Sequence, residues 1–107
     1  MPNPYVLAAI AAKCICKTFH PRYVHINRII FVDKRNQIIY VNAHVVTRDN
    51  AEKNTRYGLF YRIGKNNYLI CLDAFEIRRK EGTQWNPRQD RTNYIGRSQK
   101  TIAQNQQ

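Results

Sequence analysis

Residues 28–77 read RIIFVDKRNQIIYVNAHVVTRDNAEKNTRYGLFYRIGKNNYLICLDAFEI. Apolar, β-branched runs of strand length alternate here with clusters of Asn, Asp, Lys and Gly, the composition of tight turns. Arg28 to Asp33 predicts a first strand, and Lys34-Arg35-Asn36 a turn. Ile38 to Arg48 predicts the longest strand, with Ile39, Val41, Ala43 and Val45 on one face and Tyr40, Asn42 and His44 on the other. Asp49 to Thr55 reads as a polar loop. Tyr57, Leu59, Tyr61 and Ile63 then alternate along a third strand, opposite Arg56, Phe60 and Arg62. Gly64-Lys65-Asn66-Asn67 is a hairpin signal leading into a fourth strand, Tyr68 to Ile77. With Lys65 and Asn66 at the tip, Tyr61 faces Ile70, Leu59 faces Leu72 and Tyr57 faces Ala74. The reverse face (Arg56, Phe60, Arg62, Leu69, Cys71, Asp73, Phe75) is mixed, with aromatics set among charges.

Upstream of this block, Asn3-Pro4 is a helix start, because Asn caps free N–H groups and Pro suits the first helical position. Val6, Leu7, Ile10, Ala11 and Cys14 fall at helical spacing, while Lys13 and Lys17 turn away. His20-Pro21 ends the helix, since a residue before Pro avoids the α region. The fold class is therefore α+β: one N-terminal helix over residues 4–18, packed on a four-stranded antiparallel meander. The expected core holds Tyr57, Leu59, Tyr61, Leu72, Val41 and Ile10. A small, partly closed barrel is the alternative, because several strands carry apolar residues on both faces. The helix-on-meander shape resembles the cystatin-like arrangement, but the cystatin Gln-x-Val-x-Gly hairpin is missing, so no protease inhibition is implied.

The composition changes after Arg79. Residues 83–107 contain no Leu, Val or Phe. So polar a segment cannot bury enough surface to offset its ordering entropy, which predicts a domain over 1–80 and a flexible tail over 81–107. Trp85, Tyr94, Ile95 and Ile102 remain as isolated anchors for a partner or for the domain itself.

Charge points toward partners. Eighteen Lys and Arg against seven Asp and Glu leave a formal charge of +11. It divides into +6 over residues 1–77 and +5 over residues 78–107, so the tail is the denser part. Such an excess draws phosphate polyanions or acidic proteins. The apolar run Tyr5 to Ala12 is too short to span a membrane and has no basic residue before it, so neither a signal peptide nor a membrane partner is expected.

Three cysteines, Cys14, Cys16 and Cys71, make an odd number where a secreted disulfide framework has an even one. The expectation is three reduced, metal-free thiols in a cytoplasmic setting. Cys14 and Cys16 on a helix would point about 160–200° apart, which argues against a shared zinc ion with Cys71 and His20 or His25. For catalysis, His44 on a polar strand face lacks a defined nucleophile. Asp73 and Glu76, at odd spacing on one strand, fall on opposite faces. Gly58-Leu59-Phe60 with Tyr68-Leu69-Ile70 resembles the paired strands of GIY-YIG nucleases, yet the Gly after the second motif is absent and no residue carries over. The expected protein is not an enzyme and needs no cofactor.

What remains is a basic and aromatic pattern: Arg56-Tyr57, Phe60-Tyr61-Arg62, Lys65 and Tyr68. Aromatics on a sheet can stack unpaired bases while basic side chains follow phosphate. The candidate nucleic-acid-binding residues are Arg56, Arg62, Lys65, Tyr68, Arg78, Arg79, Lys80, Arg88, Arg91, Arg97 and Lys100. The partner expected is nucleic acid or a nucleoprotein. The alternative is a protein-interaction module (an accessory subunit, inhibitor or adaptor) whose tail orders on an acidic partner.

Overall fold

The computed structural model describes residues 1–78 and, beyond them, the backbone of the short strand Tyr94–Ile95. The helix α1 spans Pro4–Phe19. Asn3 caps it, its side-chain oxygen accepting from Val6 N at 3.0 Å. His20 ends it in the left-handed region at φ 53°, and its N–H donates to Cys16 O at 3.0 Å. Leu7, Ala11, Cys14, Ile15 and Thr18 form the buried stripe. Among the described residues no helix is long and apolar enough to cross a membrane.

Among the described residues five antiparallel strands follow in the spatial order of the chain: β1 Tyr23–Asp33, β2 Ile38–Val46, β3 Glu52–Ile63, β4 Leu69–Ile77 and β5 Tyr94–Ile95. The sheet is open, so the barrel alternative does not apply. β5 adds a two-residue pairing to the meander, with Ile77 opposite Tyr94 and Glu76 opposite Ile95. The other residues of the expected tail lie outside the described residues.

Turn chemistry matches residue type. The Asp33 carboxylate accepts from Asn36 N at 3.1 Å and from Asn36 Nδ2 at 2.8 Å, closing the β1–β2 turn. In the β3–β4 turn Asn66 and Asn67 adopt φ 58° and 61°, conformations that Asn tolerates better than most residues. Gly64 N donates to Tyr68 O across that turn at 2.7 Å.

Two strands begin earlier than the apolar pattern suggests. β1 starts at Tyr23 instead of Arg28, and β3 at Glu52 within the expected loop. Both extensions are polar on one face, so composition hid them. β2 in turn stops at Val46, two residues early.

The register of β3 and β4 also departs from expectation. Leu59 lies opposite Ala74, Tyr61 opposite Cys71 and Tyr57 opposite Glu76, with an irregularity between Phe60 and Tyr61 that leaves Leu72 unpaired. Such a bulge inserts one residue and moves everything beyond it to the other face. Leu72 is consequently 48% exposed and no part of the core. Leu69 and Cys71, expected on the reverse face, pack with the helix. Leu59→Ala, at a fully buried site, should cost about 2–5 kcal/mol in chemical denaturation. Leu72→Ala should cost less than about 1 kcal/mol, the range of surface changes.

Hydrophobic residues fill both faces. Beneath α1 lie Ile39, Val41, Ala43, Val45, Tyr57, Leu59, Tyr61 and Ala74, with Ile10 at the margin. Phe19 closes this layer against Tyr57, ring centroids 5.4 Å apart. The opposite face holds a second cluster of Ile38, Tyr40, Phe60, Phe75 and Ile77. Gly58 is required there, because a Cβ would collide with the Phe75 ring. The helix backbone approaches β1 and β4 most closely. The sheet therefore curls about it, helped by irregularities at Asn27 and Ile30 in β1.

Cys14 of α1 and Cys71 of β4 are joined by a disulfide, with Cα atoms 6.3 Å apart. This corrects the expectation of three free thiols. Parity of the cysteine count carries no information on which two the fold brings together. Cys16, two residues along the helix, is exposed and unpaired, as the helical angle requires.

Candidate nucleic-acid interface

The sheet face turned away from α1 is divided along its strands. Its apolar half is the second cluster. Its polar half lies toward the β2–β3 turn and is built in cross-strand rows. His25 of β1 faces His44 of β2, which faces Asn54 of β3. In the next row Arg28 faces Asn42, Asn42 faces Arg56, and Arg56 faces Ile77. With strands about 4.8 Å apart, Arg28 and Arg56 stand roughly 10 Å from each other on either side of Asn42.

Amides hold these rows together. Asn27, placed by the β1 irregularity, donates its Nδ2 to Asn42 Oδ1 at 2.7 Å and to Asn54 Oδ1 at 3.0 Å. The Nδ2 groups of Asn42 and Asn54 are left as donors beside two guanidinium groups. Glu52 is the carboxylate at this end of the face, and His44 Nε2 lies 3.3 Å from its Oε1. Tyr23, half exposed, meets the His44 ring edge-on at 6.2 Å.

The expected residues separate into three groups. Arg56 sits within this polar half, and exposed Arg78 follows Ile77 immediately beyond it. Arg62, Lys65 and Tyr68 gather at the opposite end, around the β3–β4 turn, where Tyr68 is 70% exposed. Six residues of strand separate Arg56 from Arg62, roughly 20 Å. Arg79, Lys80, Arg88, Arg91, Arg97 and Lys100 lie outside the described residues, as do Trp85 and Ile102.

One part of the expectation is overturned. Tyr57, Phe60 and Tyr61 cannot stack on bases, because all three are buried: the tyrosines under the helix and Phe60 in the second cluster. These three strand aromatics serve packing. Asn27, Arg28, Asn42 and Asn54 were missed as site residues. The alternation of Asn42 and His44 along β2 was the available signal, and β1 carried none because its irregularities break the period.

The carboxylates do not form an open catalytic pair. Glu76 accepts from Lys53 Nζ at 3.0 and 3.3 Å and from Thr55 Oγ1 at 3.2 Å. Asp73 accepts from Thr18 Oγ1 at 3.5 Å and Ala74 N at 2.8 Å. Burial, with the negative charge of Glu76 adding to it, pushes the Tyr57 hydroxyl above its ordinary range and keeps it protonated. Among the described residues no group of three or more His, Cys, Asp and Glu comes together as a metal-ligand set.

No protein-family model matches the chain, and neither a curated protein nor a solved structure matches it.

Proposed function

We propose that this protein binds nucleic acid without catalysing a reaction, and that the polar half of the sheet is its docking surface. One observation carries the reading: Arg28 and Arg56 stand on either side of Asn42 in a polar half of the sheet that also carries the amides of Asn27 and Asn54. Guanidinium groups suit phosphate oxygens, and the Asn amides add donors for phosphate, sugar or base edges. Residues 78–107 add a formal charge of +5 to the same positive field. Since Tyr57, Phe60 and Tyr61 are core residues, affinity on this reading comes from phosphate contact more than from stacking. A cytoplasmic setting is part of the proposal, although the disulfide removes the cysteine argument on which that setting rested.

The test is a salt titration of labelled-oligonucleotide binding. Replacing Arg28 and Arg56 with Ala should flatten the slope of log affinity against log salt by about 1.8 on duplex, or about 1.4 on single strands. Replacing Arg88, Arg91, Arg97 and Lys100 with Gln should flatten it by about 3–4 on duplex. Slopes unchanged by both sets would remove these residues from the interface.

A second reading, a protein-interaction module, is favoured by apolar exposure at the other end of the domain. Ile63 and Tyr68 are exposed at the β3–β4 turn, and Leu72 further along β4. Absence of oligonucleotide binding at low salt would favour it.

A further inference from the structure

The disulfide stands at the wall of an open groove. Cys14 and Cys71 line an open groove of about 750 Å³ between α1 and β4, together with Lys13, Lys17, His20 and Asp73. That volume lies within the roughly 300–1,000 Å³ of small-molecule sites. The two cysteines differ in setting: Cys14 is 6% exposed, whereas Cys71 is only partly buried. Among the described residues of the groove two lysines stand against one carboxylate, Asp73, which already accepts from Thr18. The groove therefore favours an anionic visitor.

We propose that this groove is a thiol–disulfide exchange site for a small carboxylate-bearing thiol, which attacks Cys71 and releases Cys14. The incoming thiolate forms a bond to Cys71 Sγ as the Cys71–Cys14 bond breaks, and the electron pair leaves on Cys14 Sγ. A second thiol then attacks the sulfur contributed by the first and releases Cys71 as a thiolate. Two thiols are oxidised to one small disulfide, the protein disulfide is reduced to two cysteines, and the two thiol protons end on Cys14 and Cys71. Lys17 stands three residues after Cys14, on the same side of the helix. A neighbouring ammonium lowers thiol pKa, and a leaving thiol of lower pKa departs faster. Exposed Cys16 points away from Cys14 along the helix and takes no part in the exchange.

The experiment uses the full chain with Cys16→Ser, treated with reduced glutathione or with neutral 2-mercaptoethanol at equal thiolate concentration. Acid-quenched samples are alkylated and mapped by mass spectrometry. The expected results are a native-state rate that rises in proportion to thiol concentration, a mixed disulfide on Cys71, and faster reaction with glutathione. Lys13→Gln with Lys17→Gln should abolish the glutathione advantage. A rate that plateaus at the global unfolding rate would show that the bond is reached only by unfolding, and would overturn the proposal. An adduct on Cys14, or equal rates for the two thiols, would overturn it as well.

Discussion

Breaking the Cys14–Cys71 bond should lower the stability of the domain by about 4 kcal/mol. The two residues are 57 positions apart in sequence, so the crosslink closes most of the folded chain into one loop and removes that much freedom from the unfolded ensemble. A chain of this size has a total stability of only about 5–15 kcal/mol, so the loss is a large fraction of it. Urea denaturation followed by circular dichroism, with and without a dithiol reductant, is the measurement. With a slope of about 1–3 kcal/mol per molar, the midpoint should fall by roughly 1–4 M. Cys14→Ala with Cys71→Ala should reproduce the shift and make the protein indifferent to reductant. Equal midpoints for oxidised and reduced protein would mean that the crosslink does not constrain the unfolded chain.

Phe60→Ala should be comparably severe, at about 3–5 kcal/mol. Phe60 is fully buried on the face away from the helix, its ring centroid 5.2 Å from that of Phe75. Truncation leaves a cavity between Ile38, Tyr40 and Phe75 that a rigid sheet cannot close. The pair should also be coupled: a Phe60→Ala, Phe75→Ala double-mutant cycle is expected to give a non-additive part of about 0.5–1.5 kcal/mol. A loss below about 1 kcal/mol for Phe60→Ala would reduce the second cluster to surface packing.

The sequence revealed those features that depend on near neighbours. Asn3 and His20 bound the helix because capping is a local contact. The alternation of Ile39, Val41, Ala43 and Val45 placed β2 correctly, since it runs unbroken. Long-range features were hidden. Leu72 looks like a core leucine, and a one-residue bulge opposite Phe60 and Tyr61 moves it out. Tyr23 and His25 alternate with Val24 and Ile26, a strand signal masked by the polar residues after them. Gly58, alone inside an apolar strand, was the local sign that another group comes close, and Phe75 is that group. Cys14 and Cys71 carry no local sign of each other; helix placement alone brings them together. At the candidate interface Arg56 and Arg78 could be read from charge. The Asn27, Asn42 and Asn54 network could not, because it depends on an irregularity that folds Asn27 back over two other strands.

Those irregularities in β1 have a bearing on solubility. Among the described residues β1 is the first strand of the sheet and has β2 as its one strand neighbour. An eleven-residue edge strand would otherwise invite another chain to extend the sheet, since a regular edge presents evenly spaced donors and acceptors. Breaks at Asn27 and Ile30 interrupt that spacing twice within a few residues. An incoming strand could match one stretch of β1 and would then fall out of step with the next. The same backbone kinks that curl the sheet around α1 thereby discourage edge-to-edge self-association.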